Sequence, residues 1–262
     1  MLPRPRLVSA TAAVTVFLLI LPIVVVVPMS FSSASSLSFP PPGLSLRWYR
    51  SFFGSESWLE ALGTSVFLAA VASTLALILG SLAAYGLQRR AVRFKGILES
   101  NFMAPVILPT IITAVALYIT FARIGILGSF FGLVVAHVLL GIPYVILVMG
   151  VAIRSFDIRL EQVSWTMGAS WPTTMRKVVV PLLAPSLAAA WIFAFVGSFD
   201  EVVVTSFIAG SYDTVPKKMF NELTLEISPT ITAVATLLIA FTILCLTGAA
   251  LILRRSPKQL VA

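Results

Sequence analysis

The stretch FFGLVVAHVLLGIPYVILVMGVAI, Phe130–Ile153, contains no Asp, Glu, Lys or Arg. A helix crossing about 30 Å of hydrocarbon needs about 20 such residues. Lipid is the solvent that this run asks for. Five further runs read the same way, roughly Leu7–Met29, Leu62–Leu87, Leu98–Phe121, Leu182–Ile208 and Pro229–Leu253. The sequence therefore predicts an all-α membrane protein with six transmembrane helices, organised as one transmembrane domain over residues 1–262.

Composition agrees with that reading. The chain is 59% hydrophobic and 11% charged, with a mean hydropathy of +1.03. Soluble domains carry about 25% charged residues, and a water-facing surface of this size needs them. The formal charge is +8. Its Lys and Arg residues lie between apolar runs rather than along one face, so they are topology signals and not a nucleic-acid footprint. Cys245 is the only cysteine, which excludes an internal disulfide and a cysteine-built metal site. His137 is the only histidine and sits inside an apolar run. A proton relay and a helix-packing hydrogen bond both fit it, and it is assigned no function.

Charge placement sets the expected orientation. With the N-terminus inside, the inner segments hold Arg4, Arg6, Arg89, Arg90, Arg93, Lys95, Arg154, Arg159, Arg176, Lys177, Arg254, Arg255 and Lys258. Only Arg47, Arg50, Arg123, Lys217 and Lys218 of the 18 basic residues fall outside. The positive-inside rule then places both termini in the cytoplasm. The first run follows Arg4 and Arg6 but is longer than the core of a cleaved signal peptide, about 7–15 residues, so a retained helix is expected. Trp48, Tyr49, Phe52, Phe53 and Trp58 are expected to anchor the next segment along the outer membrane surface. Pro105, Pro109, Pro143 and Pro185 each free a backbone carbonyl, which lipid cannot satisfy, so those helices are expected to face protein or water there.

One inner segment is long. Arg154–Val180 reads RSFDIRLEQVSWTMGASWPTTMRKVVV and is followed by Pro181. Leu160, Val163, Ser164 and Met167 recur at helical spacing. Asp157 is placed to cap the start, Gly168 to end the helix, and Pro172 to open a second short one. Such a helix either lies on lipid or docks in a groove of a soluble partner.

This segment resembles the EAA loop of ABC-transporter inner-membrane permeases of the binding-protein-dependent importer type. That loop has Glu-Ala-Ala, three residues, Gly, nine residues, then Ile-x-Leu-Pro. Here Gln162-Val163-Ser164 stand for Glu-Ala-Ala, with Glu161 one position early. Gly168 and Ala169 match, Ala169–Lys177 fill the gap, and Val178-Val179-Val180-Pro181 close it. The stretches LSLRWYRSFFGSESWLEALGTS, SFDEVVVTSFIAG, TVPKKMFNEL and ISPTITAVATLL are similar to the PotC-like branch, permeases of spermidine/putrescine-type importers.

The resemblance implies a MetI-like fold of the type I ABC importer permeases in a bacterial inner membrane. It implies that Leu160, Glu161, Gln162, Val163, Ser164, Met167, Gly168, Ala169 and Pro181 form the element that couples to an ATPase dimer. A second, non-identical PotB-like permease and a periplasmic solute-binding protein complete the expected assembly, with lipid around it and no nucleic acid. No G-x-x-x-x-G-K-[ST] phosphate loop occurs, and no Gly-Lys pair at all. ATP and Mg are therefore expected on the partner ATPase, with no cofactor on this chain and no enzymatic activity of its own. The expected solute is a small organic one, a polyamine such as spermidine or putrescine; an amino-acid derivative or opine is the alternative.

Asp200 and Glu201 interrupt the fifth apolar run. Carboxylates in a membrane cost about 2.5–3.5 kcal/mol for Asp on insertion scales and normally face protein or water. Either they line a path for a cation, with Ser198 and Thr205 beside them, or they make an ion pair or a helix break. A stand-alone secondary transporter or channel is the competing reading. No H-E-x-x-H or G-x-S-x-G pattern supports an intramembrane enzyme.

Overall fold

The structure is a computed structural model, and it describes residues 5–89, 92–225 and 228–255. Arg4, Arg90 and Lys258, counted above among the basic residues, lie outside them. The elements are α1 (Pro5–Ser30), α2 (Arg47–Phe53), α3 (Glu56–Arg89), α4 (Lys95–Ile107), α5 (Thr110–Ile124), α6 (Phe130–Ser155), α7 (Ile158–Thr166) and α8 (Trp171–Thr174). A π-helical turn (Met175–Val179) leads into α9 (Val180–Phe199), followed by α10 (Val203–Ile208), α11 (Val215–Leu225) and α12 (Thr230–Arg255).

Among the described residues, five helical stretches are long and apolar enough to cross a membrane, or six if the bent pair α4 and α5 counts as one span. That pair departs from the single third helix expected over Leu98–Phe121. The axes of α4 and α5 differ by 102°. Leu108, with ψ of 144°, is extended as a residue before proline must be, and Pro109 opens α5. The fifth run departs as well. Its helix starts earlier, because α8, the π turn and α9 run on as one stretch from Trp171 to Phe199, and it stops before Asp200. Pro181 has no N–H for the carbonyl four residues back, and the backbone widens in the turn just before it, where the Val180 N–H reaches Met175 O.

The described chain packs as two compact units. The first comprises the described residues within 5–60 and 218–241. Within it α1 is apolar on every side, and none of its apolar window is buried, as suits a helix facing lipid or another subunit. Of the five aromatics expected to anchor the segment after α1, Trp48, Phe52 and Trp58 are buried, while Phe53 is 57% exposed. Phe52 and Trp58 pack at 5.7 Å, and Lys218 Nζ lies 5.1 Å from the Trp58 ring.

The second unit comprises the described residues within 61–217 and 242–255 and is built around α6. Small residues bring its helices close. A Cβ on Gly141 would meet the Ala76 Cβ of α3 at 3.0 Å and the Ala194 Cβ of α9 at 3.7 Å. Ala69, Ala72, Ala76, Ala136, Ala190 and Ala194 are fully buried. Without a hydrophobic drive between helices in lipid, such close backbone approach is what holds a bundle together. Gly128 and Gly210 do the same for two loops: Gly128 N–H donates to Ile208 O at 3.1 Å, and Gly210, at φ +57°, has no room for a side chain beside Gly128.

Candidate functional site

The segment between α6 and α9 is held by its own capping hydrogen bonds rather than being a loose connection. Asp157 caps α7, its Oδ1 accepting from Arg159 N–H at 2.9 Å. The far end is a Schellman motif. Gly168 N–H donates to Trp165 O at 2.9 Å, and Ala169 N–H donates to Ser164 O at 3.1 Å. This closure needs a left-handed residue, and Gly168 has φ +84°. Ser170 then precedes α8, with Pro172 in its first turn.

α7 has two faces. Leu160 is 43% exposed, Val163 55% and Met167 82%, with Gln162 exposed beside them. Glu161, by contrast, is 1% exposed. Its Oε1 lies 3.0 Å from Arg89 Nε, and its Oε2 accepts from Tyr85 Oη at 2.5 Å. Ser164 also turns inward, its Oγ 2.8 Å from Thr174 Oγ1. Of the residues that the spacing groups together, Leu160, Val163 and Met167 form the free apolar stripe. Glu161 and Ser164 fasten that stripe to the bundle. Gly168 and Ala169 end the helix, and Pro181 opens α9. Trp165 and Trp171, which the spacing did not single out, are also largely exposed and widen the apolar surface.

The second candidate cluster lies where α9 ends. Asp200 is the C-cap residue of α9 and is exposed. Among the described residues its carboxylate has no hydrogen bond or salt bridge. Glu201 folds back on the chain. Its Oε1 accepts from Val204 N–H at 2.7 Å, in the first turn of α10. Ser198 and Thr205 are both buried and both face His137. His137 Nδ1 lies 2.8 Å from Ser198 Oγ, and its Nε2 lies 3.0 Å from Thr205 Oγ1. Thr205 Oγ1 also donates to Glu201 O at 3.0 Å. Four candidate path residues thus fall into two sets. Asp200 and Glu201 lie in the turn between α9 and α10, which Glu201 shapes through Val204 N–H, while Ser198 and Thr205 hold that turn against α6 through His137. The sequence could not place His137, because its two partners are 61 and 68 residues away.

Apolar helices with a short helix that exposes an apolar stripe suit the membrane component of a transporter, and the comparisons agree. Residues 76–259 match the family described as binding-protein-dependent transport system inner membrane component. The chain belongs to that family: it is a multi-pass inner-membrane permease of an ABC importer. It is 31% identical to the spermidine/putrescine transport system permease protein PotC of Escherichia coli K12, over 92% of this chain and 91% of the relative. It is likewise 31% identical to the putrescine transport system permease protein PotI of the same organism, over 75% and 73%. The fold is shared with a bacterial ABC transporter involved in the import of the acidic polysaccharide alginate, at a TM-score of 0.67, 15% identity and coverage of 96% and 95%.

Proposed function

We propose that this permease carries a polyamine inward and is driven through α7 by ATPase subunits on the cytoplasmic side. The likeness to PotC and PotI along most of the chain supports the solute class. The excess of Lys and Arg in alternate segments supports placing both termini, and α7, in the cytoplasm. ATP and Mg sit on the ATPase dimer, a second PotB-like permease completes the path, and a periplasmic binding protein delivers solute from outside.

The observation that carries the coupling role is the division of α7 into a free apolar stripe and a fastened face. Leu160, Val163 and Met167 present exposed apolar side chains, on a helix held in place by Glu161 and Ser164. An apolar stripe on a short helix is suited to a groove on a partner. Alternating access then follows as a rigid-body shift of this helix when the ATPase subunits close. Gly168→Asp tests it. The inserted protein is expected to lose both ATPase association and transport; normal uptake by that variant would overturn the reading.

For the path, Asp200 is the stronger candidate. A carboxylate at a helix C-terminus opposes the helix dipole, by about 0.3–1 kcal/mol, so stability does not account for it there. Glu201 has such an account, since it caps α10. We assign Asp200 to attracting the cationic solute, Glu201 to shaping the turn, and Ser198 and Thr205 to holding it.

A further inference from the structure

We propose that Arg89, Glu161 and Tyr85 form a tether that carries the movement of α7 into α3 and α6, making them positioning residues for energy coupling. The inference rests on the docking role of α7 given above, and adds the route by which its displacement reaches the membrane helices.

Three observations carry it. First, Glu161 is on the docking helix but points away from the docking face, and it is almost completely buried. A buried carboxylate is retained at a cost unless its partners are well placed. Here Tyr85 Oη donates to Oε2 at 2.5 Å, and the Arg89 guanidinium supplies the opposite charge, its Nε 3.0 Å from Oε1 without a hydrogen bond between those two atoms. Second, both partners lie one turn apart at the end of α3, a helix that runs from Glu56 to Arg89. Third, Arg89 reaches a second helix. Its Nη2 donates to Phe156 O at 3.1 Å, and its guanidinium lies 5.5 Å from the Phe156 ring centre. Phe156 is the residue that closes α6. One guanidinium therefore joins the end of α3, the end of α6 and the middle of α7.

The geometry explains why a charge pair serves here. Ser164 and Thr174 already bind α7 to α8, the element that leads into α9. Without the tether, α7 would be held only by its short link to α6 through Asp157 and by the Ser164 contact, and a push on Leu160, Val163 and Met167 could swing it about those two points. With the tether, three helices take up the push together. Tyr85 also packs edge-on against Trp171 of α8 at 6.3 Å, which links the two attachments.

The test uses the whole importer in proteoliposomes, with its ATPase, second permease and binding protein, and labelled spermidine as probe. Glu161→Gln and Arg89→Met are expected to co-purify with the ATPase subunits and to hydrolyse ATP within about twofold of the unmodified complex. Spermidine imported per ATP hydrolysed is expected to fall at least tenfold. Tyr85→Phe, a milder change, should lower that ratio about two- to threefold. The exchange R89E/E161R should recover a substantial part of it, though not all, because Phe156 O loses its donor. A merely structural role would lower insertion, hydrolysis and uptake together and leave the ratio alone. An unchanged ratio in Glu161→Gln would overturn the tether, as would an exchange variant no better than the single ones. Loss of ATPase association in inserted Glu161→Gln would overturn it too, by making Glu161 part of the docking surface.

Failure of the underlying reading looks different. An unmodified chain that never binds the ATPase sinks the docking role and the tether with it. An unmodified complex that hydrolyses ATP but imports no spermidine sinks the solute assignment alone. The readout is then stimulation of hydrolysis by the loaded binding protein, which Glu161→Gln is expected to lose and which, if kept, overturns the tether.

Discussion

Nδ1 of His137 lies 2.8 Å from Oγ of Ser198, and this contact fixes the end of α9 against the N-terminal third of α6. The second ring nitrogen holds Thr205 of α10, so one buried imidazole spans the turn that carries Asp200 and Glu201. His137→Ala would leave a cavity and remove both contacts, a loss of about 2–4 kcal/mol. The purified permease should unfold several degrees lower on heating. An unchanged unfolding midpoint would contradict the placement of His137.

Asp200→Asn should leave insertion and thermal stability intact, or raise stability slightly by removing a negative charge from the C-terminus of α9. Polyamine uptake should fall at least tenfold. Glu201→Gln keeps an oxygen able to accept from Val204 N–H and should lose less. Equal, normal uptake by both variants, measured with labelled spermidine, would remove the carboxylates from the path.

Gly168→Ala places a side chain at φ +84°, a conformation costing an L-residue about 1–2 kcal/mol. Nothing lies within 4 Å of the added Cβ, so the effect is one of backbone conformation and not of collision. Uptake should be reduced and not abolished, with Gly168→Asp more severe. An alanine variant indistinguishable from the unmodified chain would show that the Schellman closure is dispensable.

Gly141→Leu tests the close-packed centre. Its side chain would drive into Ala76 and Ala194, fully buried residues of α3 and α9. Overpacking of this kind costs about 1–3 kcal/mol or more, and the variant should accumulate poorly in membranes. Gly141→Ala, with its Cβ at 3.0 Å from Ala76, should be intermediate. Normal amounts of folded Gly141→Leu would contradict the three-helix contact.

Much of this architecture is legible in the sequence because lipid imposes long apolar runs. Phe130–Ile153 maps onto α6, and the ends of α7 follow from Asp157 and Gly168. Two features were hidden for stated reasons. The run Leu98–Phe121 is uniformly apolar, and only Pro109 and the extended residue before it betray the 102° break. The run through Ile208 conceals the end of α9, because Val202, Val203 and Val204 are apolar whether or not they are helical. Within α7, the spacing groups Ser164 with Leu160, Val163 and Met167, since all share one arc of a helix. Which way that arc is divided depends on Thr174, Arg89 and Tyr85. Arg89 and Tyr85 lie more than seventy residues away, and local periodicity carries no trace of them.

The central claim is that α7 is the point of contact with an ATP-hydrolysing subunit. The most direct measurement places a photo-crosslinking side chain at position 167, where Met167 is the most exposed apolar residue of the stripe, in the assembled importer. The account predicts one dominant adduct, between this permease and the ATPase, formed from the cytoplasmic side. An adduct only with lipid or the periplasmic binding protein, or labelling of position 167 by a membrane-impermeant reagent added outside, would contradict it.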